Sequence, residues 1–215
     1  MTNTVIYTAI TGAYDELKPV PTKAPCYALC DEESGQGSWW NWRRLNLPPG
    51  LGTPERASRF PKCCPHLFLP EAEFTVWTDA SIRWNSDPAD LVRVLGADDD
   101  IATFRHPWRD CAYAEGKEVA GLGRADAHVM AAQLSAYLAR GLKPHAGMYE
   151  LSVIVRRNTE WAYELGDAWW AEQCRWTSWD QVSFPYVCEE FRARVATIPG
   201  NVRDGSLCWK EPHNR

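Results

Sequence analysis

Short apolar segments typical of β-strands alternate along this chain with segments of helical periodicity, and this alternation constrains the fold more than any other feature. The clearest strand, residues 4–10, is rich in β-branched residues, and the clearest helix, residues 125–142, carries an apolar stripe. Strands that alternate with helices favour an α/β fold with a mostly parallel central sheet. The other predicted strands are 26–30, 73–78, 101–104 and 149–156, and the other predicted helices are 55–67, 88–95, 160–176 and 180–191.

The length of 215 residues suits one domain with its own core. We expect that domain over residues 1–198, followed by a polar, irregular C-terminal tail over 199–215. Residues 34–54 are rich in Gly, Ser, Trp and Pro, and they are predicted to form a loop that holds a cluster of three tryptophans, Trp39, Trp40 and Trp42.

Composition excludes several classes of protein. With 45% apolar and 24% charged residues the chain is not a disordered one, and the net charge of −5 gives no support to non-specific phosphate binding. No apolar run of about 18 residues exists, and the N-terminus lacks the pattern of a signal peptide, so we expect a cytoplasmic protein without a membrane partner. Eight cysteines without a CxxC pair are expected to be buried thiols. The alternative is a structural zinc site formed by Cys26, Cys30 and ligands distant in the sequence.

Asp79 and Ser81 directly follow the predicted strand 73–78. In open α/β sheets ligands bind outside the carboxyl ends of the strands, and a carboxylate there suits a hard divalent cation. Ser is a weaker ligand than the second Asp of an Asp-x-Asp pair, so the pattern favours a weak metal site. The alternative is that Asp79 caps a turn.

Three cations, Arg56, Arg59 and Lys62, are spaced by three residues shortly before that strand. On a helix this spacing places them on one face, where they can meet a diphosphate. A solvated basic face is the alternative interpretation.

Two further segments are dense in residues that can carry chemistry. The first, residues 106–115, combines His106, Arg109, Asp110 and Glu115, either as a site or as a polar loop in which Arg109 pairs with a carboxylate. The second, residues 169–184, combines tryptophans with Asp180 and Gln181. Its polar residues can hold sugar hydroxyls while the rings stack on a sugar face. The alternative is a core of tryptophans with Asp180 as a helix cap.

Taken together and in this order, these segments resemble the family of GT-A-like glycosyltransferases once filed as a domain of unknown function, which includes plant proteins implicated in polysaccharide synthesis. Each segment is weakly specific, but six in one order cover most of residues 5–188. The matching segments are 5–15, 56–66, 76–82, 106–111, 147–157 and 169–187.

The resemblance implies a Rossmann-like GT-A domain that transfers a sugar from a nucleoside-diphosphate sugar, with a UDP-sugar as the expected donor, and a C-terminal tail able to close over the donor. Manganese or magnesium would assist the leaving diphosphate. The implied donor-binding residues are Thr8, Thr11, Tyr14, Asp15, Arg56, Arg59, Lys62, His106, Arg109 and Gln181. The implied metal ligands are Asp79, Ser81 and His213. The implied candidates for the base that takes the acceptor proton are Asp180, Asp110 and Glu150.

The sequence leaves the acceptor open among a glycan, a small molecule and modified DNA. Because no anchor is visible, a bacterial or virus-infected cytoplasm is the expected location, and a viral enzyme acting on a hydroxylated base is an alternative in which Trp39, Trp40 and Trp42 hold a flipped base. A non-catalytic carbohydrate-binding module is the second alternative. A thiol enzyme that uses Cys111 is the third.

Overall fold

A computed structural model describes residues 3–31, 39–46 and 52–212, which form an α/β domain. The strands are β1 (Thr4–Ile10), β2 (Cys26–Cys30), β3 (Asn41–Arg44), β4 (Phe74–Thr78), β5 (Ile82–Trp84), β6 (Ile101–Arg105), β7 (Tyr149–Arg157), β8 (Val195–Thr197) and β9 (Cys208–Lys210). The α-helices are α1 (Pro54–Cys63), α2 (Ala112–Gly121), α3 (Ala127–Ala139), α4 (Glu160–Arg175) and α5 (Asp180–Glu190), and 3₁₀ helices cover Pro65–Leu67 and Pro88–Val94.

Within the described ranges the central sheet has seven strands in the order β3-β2-β1-β4-β7-β6-β8. All neighbouring pairs are parallel except the two that involve β7, which runs antiparallel to both β4 and β6. The predicted α/β fold with a mostly parallel sheet is therefore confirmed. The sequence does not reveal the reversed direction of β7, because a buried strand has the same composition in either direction.

Both faces of the sheet are covered, which explains why every residue of β1 is buried. Val5 and Tyr7 belong to the core on the face that carries the five α-helices, whereas Ile6 belongs to the core on the opposite face. That opposite core is closed by the 3₁₀ helix Pro88–Val94 and by β5 and β9, which pair antiparallel. Alternating burial on two faces is the expected result of the two-residue period of a strand.

The predicted helix over residues 55–67 is divided in two. Helix α1 begins after Thr53, whose side chain accepts a hydrogen bond from the Arg56 amide, and it ends at Cys63. Its end is explained by Pro65, because a proline disfavours helical backbone in the residue before it. At Pro88–Val94 a helical turn is confirmed, and Asp87 is its N-cap, accepting a hydrogen bond from the Ala89 amide.

Two segments predicted to be irregular contain strands. Residues 41–44, predicted as loop, form the edge strand β3 because their backbone pairs with β2, and Arg43 lies 3.9 Å from the ring centre of Tyr27. The polar tail contains β9, because β5 offers its backbone groups for pairing and the fully buried Cys208 packs into the core. None of the helices that the structure describes is long and apolar enough to cross a membrane.

Candidate functional site

A cavity of about 900 Å³ lies at the carboxyl ends of β1 and β4. The chain passes from β1 to β2 on one side and reaches β4 on the other side, so β1 and β4 flank a topological switch point of the sheet. Such a point leaves a crevice between the loops that follow the two strands, and this crevice is the general ligand site of open α/β sheets.

The loop after β1 forms the first wall of the cavity. Gly12 has φ +64°, a left-handed conformation that glycine adopts without strain, and a Cβ there would lie 3.1 Å from Pro54 Cβ. Thr11 Oγ1 donates a hydrogen bond to the Pro54 carbonyl at 2.6 Å, which holds the loop against the start of α1. Of the donor-binding residues predicted in this region, Thr11, Tyr14 and Asp15 line the cavity, whereas Thr8 is fully buried within β1 and does not line it.

Helix α1 presents two of its three cations to the cavity. Lys62 is almost fully buried, and its Nζ lies 2.6 Å from Asp180 Oδ2 and 3.4 Å from Asp79 Oδ1. Arg59 Nε lies 3.6 Å from the same Asp180 oxygen. Arg56 turns away and donates to the Trp176 carbonyl at 2.8 Å. A solvated basic face is therefore the wrong interpretation for Lys62.

Asp79 stands at the end of β4 among hydrogen-bond donors and cations. Its Oδ1 accepts a hydrogen bond from Trp77 Nε1 at 2.8 Å, and its Oδ2 lies 3.8 Å from Lys210 Nζ. Burial alone would raise the pKa of Asp79, but Lys62, Lys210 and Arg59 outweigh it and lower the pKa to about 2. The carboxylate is therefore ionised throughout the physiological range.

Asp180 is the first residue of α5, where a carboxylate is favoured by the helix dipole. Burial would raise the pKa of Asp180 as well, but Arg59 and Lys62 lower it. Gln181 also lines the cavity and donates to the Tyr149 carbonyl at 3.1 Å. The nearby Trp169 is buried in the core, and its Nε1 donates to Ser183 Oγ, so the core interpretation is right for this tryptophan. Trp179, in contrast, lines the cavity.

A break in the pairing of β6 and β7 shapes the opposite wall. Thr103 pairs with Ile154, but the next residue, Phe104, pairs with Glu150, so three residues of β7 bulge out of register. Bulges re-aim side chains beside functional sites. Here the bulge brings Glu150 and Ser152 to the cavity, where Ser152 Oγ donates to Glu150 Oε1 at 2.6 Å. Arg203 Nη1 donates to Glu150 Oε2 at 3.1 Å.

The loop after β6 contributes His106 and Arg109. His106 Nδ1 accepts hydrogen bonds from the Trp108 and Arg109 amides at 3.3 and 3.0 Å, which requires a ring without a proton on Nδ1. Burial lowers the pKa of His106, in agreement with a neutral ring. Arg109 pairs with Glu115 at 2.8 Å, and both line the cavity.

Asp110 is not brought to the cavity. Its side chain is 70% exposed and lies 2.7 Å from His145 Nδ1, away from the carboxylates described above. Trp39, Trp40 and Trp42 are also absent from the lining; Trp40 Nε1 donates to the Lys18 carbonyl.

The surroundings of Asp79 do not fit a divalent cation. Its two carboxylate oxygens face an indole N–H and two ammonium groups, none of which can ligate a metal. Ser81 is buried and does not line the cavity. His213 lies outside the described residues, and those residues contain no group of three or more His, Cys, Asp or Glu side chains able to share a metal ion.

The structure adds cavity residues that the sequence does not indicate. Arg203, Lys210 and Glu211 all come from the predicted tail, and they reach the cavity because β9 pairs with β5. Glu211 anchors this segment through Arg83 at 2.6 Å and Lys18 at 3.3 Å. No spacing in the sequence points to these contacts, since β9 is three residues long and its partner is distant in the chain.

The fold and the cavity at its switch point place the chain in the class of α/β domains that bind a ligand at the carboxyl ends of their strands. Mouse Xyloside xylosyltransferase 1, solved in its apo form, superposes with a TM-score of 0.54 over 92% of this chain and 84% of that chain. With 9% sequence identity, this similarity concerns the fold alone. It agrees with the predicted GT-A architecture.

The chain belongs to the family described as TOD1/MUCI70, glycosyltransferase-like domain, which matches residues 39–200. "Probable hexosyltransferase MUCI70" of Arabidopsis thaliana is 25% identical over 223 aligned residues, which include 89% of this chain. The chain spans only 38% of the length of that relative. The family expected from the sequence is thus confirmed.

Proposed function

We propose that the protein transfers a hexosyl group from a nucleoside-diphosphate sugar, with UDP as the first candidate nucleotide, to a hydroxyl of a glycan or small-molecule acceptor. The observation that carries the proposal is the cluster of Arg59, Lys62, Asp79 and Asp180 on the wall of the switch-point cavity. A buried ionic cluster is costly to maintain, and such groups collect at functional sites. Membership of a glycosyltransferase-like family and a relative named as a hexosyltransferase support the reaction class.

In this reaction the acceptor oxygen forms a bond to the anomeric carbon, and the bond from that carbon to the diphosphate oxygen breaks. The acceptor proton passes to a base, and the diphosphate leaves with added negative charge. Arg59 and Lys62 stand where they can stabilise this charge, and donors fixed in advance act without reorganisation in the transition state. The loop Thr11–Asp15 would hold the nucleoside at the end of β1.

Glu150 is the best placed of the three candidates for the base. Asp110 lies outside the cavity, and Asp180 is engaged by Lys62 at 2.6 Å with a lowered pKa, which makes it a poor proton acceptor. Glu150 lines the cavity beside His106, and its ion pair with Arg203, at 3.1 Å, is longer than that of Asp180 with Lys62. Trp108 is 68% exposed at the same wall and offers a flat apolar surface to an acceptor sugar ring, with the Arg203 guanidinium 4.6 Å from its ring centre.

The proposal is tested by thermal-shift titrations of the purified protein with UDP, GDP and CMP and with UDP-glucose, UDP-galactose and GDP-mannose, each in EDTA and in manganese. A ligand that binds the native state raises the melting temperature by mass action. We expect a shift with one nucleoside diphosphate and its sugar conjugates, followed by slow release of the free nucleotide from the conjugate. A protein that responds to sugars but to no nucleotide would instead be a carbohydrate-binding module.

A further inference from the structure

Lys210 lies beside Asp79, the carboxylate that the family resemblance implies as a metal ligand. Its Nζ lies 3.8 Å from Asp79 Oδ2 and 3.3 Å from Ser152 Oγ, and its side chain is 27% exposed in the cavity. An ammonium group has three N–H donors. Two can point at these oxygens, and the third can point into the cavity.

The two lysines around Asp79 differ in what they can still bind. Lys62 is 2% exposed and is held between Asp79 and Asp180, so its charge is largely committed to those two carboxylates. Lys210 makes a longer contact with Asp79 and keeps an accessible side. Together with Arg59, the cluster contains three cations and two carboxylates, and it therefore carries one net positive charge that suits an anion.

The backbone fixes Lys210 in this position. Its amide donates to the Val202 carbonyl at 2.8 Å, and the next amide, that of Glu211, donates to the Ser81 carbonyl at 2.9 Å. The two carboxylate oxygens of Glu211 form salt bridges, one with Arg83 and the other with Lys18. A charge that is held in place before the ligand arrives costs little reorganisation on binding.

We propose that Lys210, supported by Lys62 and Arg59, binds the diphosphate of the donor and takes the place of a divalent metal ion in this protein. Asp79 then acts as a positioning residue that holds the two lysines rather than as a metal ligand. This inference rests on the proposed function, because it assigns the part of that cavity that receives the diphosphate.

Calorimetric titration with UDP and GDP, in EDTA and in manganese, tests the inference. We expect the preferred nucleotide to bind in EDTA with an affinity within about threefold of that in manganese. Lys210→Met should weaken this binding by about tenfold or more, the usual effect of losing a charged hydrogen bond, and Lys210→Arg should restore most of it. Lys143→Met, which changes an exposed lysine away from the cavity lining, is the matched control and should bind as the wild type does.

Asp79→Asn separates the two mechanisms when its effects in EDTA and in manganese are compared. If lysines bind the diphosphate, the variant changes UDP or GDP affinity by the same factor under both conditions, because the carboxylate acts only through the lysines that it holds. If a metal binds the diphosphate, the same change weakens binding in manganese and leaves binding in EDTA as it was. Binding that requires manganese, or a Lys210→Met variant with wild-type affinity, overturns this inference and leaves the proposed function standing. Absence of binding under both conditions overturns both.

Discussion

At the scale of single residues, Asp79 shows how the environment of a side chain decides its chemistry. The residue type and its place after a strand predict a metal ligand, and the sequence carries no sign that Lys210 and an indole N–H lie beside it. Lys62 could be expected there, since α1 precedes β4 and its cations share one face. Lys210 could not, because its contact depends on the pairing of two three-residue strands.

The ion pairs of Asp79 predict an acid-sensitive contribution to stability. Its pKa is about 2 in the folded state against 3.8 ordinarily, so the folded protein favours the ionised form. The resulting stabilisation of about 2 kcal/mol is fully present above pH 4 and is lost as the pH falls from about 4 to 2. Urea unfolding between pH 7 and pH 2.5 should show Asp79→Asn to be less stable than the wild type at neutral pH. The difference should shrink to about a third of its neutral value by pH 2.5, because Asp79 is then only partly protonated in the folded state, and a difference independent of pH would contradict this account.

Glu150 gives the second prediction at this scale. Glu150→Gln should lower kcat for glycosyl transfer by about 100-fold or more, because the base that takes the acceptor proton is lost. UDP affinity should stay within twofold of the wild type. Glu189→Gln, an exposed change at the end of α5, is the control, and undiminished turnover in Glu150→Gln would exclude the role.

At the scale of elements, the close approach of α4 to α1 sets the position of the cationic face. Gly166 lies on α4, and a Cβ added there would be 2.4 Å from the Cys63 carbonyl oxygen. We expect Gly166→Ala to destabilise the protein by about 1–3 kcal/mol, the usual cost of overpacking, and to weaken nucleotide binding because α1 carries Arg59 and Lys62. Urea unfolding measures the first effect and calorimetry the second.

Gly121→Ala is the matched control for this prediction. Gly121 also lies in a helix, but a Cβ there would meet no atom within 4 Å. Alanine is the better helix former, so this variant should be as stable as the wild type or slightly more stable. If Gly166→Ala unfolds at the same urea concentration as Gly121→Ala, helices α1 and α4 are not in tight contact.

The elements also show what can be predicted from sequence. Strands β1 and β4 are evident because both faces are buried and their residues are apolar or β-branched. Strand β3, with the sequence Asn-Trp-Arg-Arg and all four residues exposed, has no such pattern and exists because β2 offers its edge. The bulge in β7 is hidden for a similar reason, since it is defined by the register with β6 and not by composition.

At the scale of the whole molecule, the reactivity of buried thiols measures whether the two cores and the C-terminal tail unfold together. Cys63 and Cys188 lie in the core on the helical face, and Cys26 and Cys208 lie in the core on the other face. Cys208 also belongs to β9, beyond the domain boundary at residue 198 that the sequence predicts. Burial raises the pKa of Cys26 to about 11 and that of Cys208 to about 12, so these thiols need an opening event before they react.

We predict that a thiol reagent such as DTNB labels one cysteine rapidly in the native protein and all eight after denaturation. The fast one is Cys174, which is exposed while the other seven are buried, and Cys174→Ser should remove the fast phase. The slow phase should depend on urea as global unfolding does if the domain and its tail form one cooperative unit. If Cys208 reacts at a lower urea concentration than Cys63 and Cys188, the C-terminal tail unfolds separately from the rest of the domain. Lys210 then lines the cavity only while the tail is folded against the domain. A second fast thiol at Cys111 would revive the thiol-enzyme alternative.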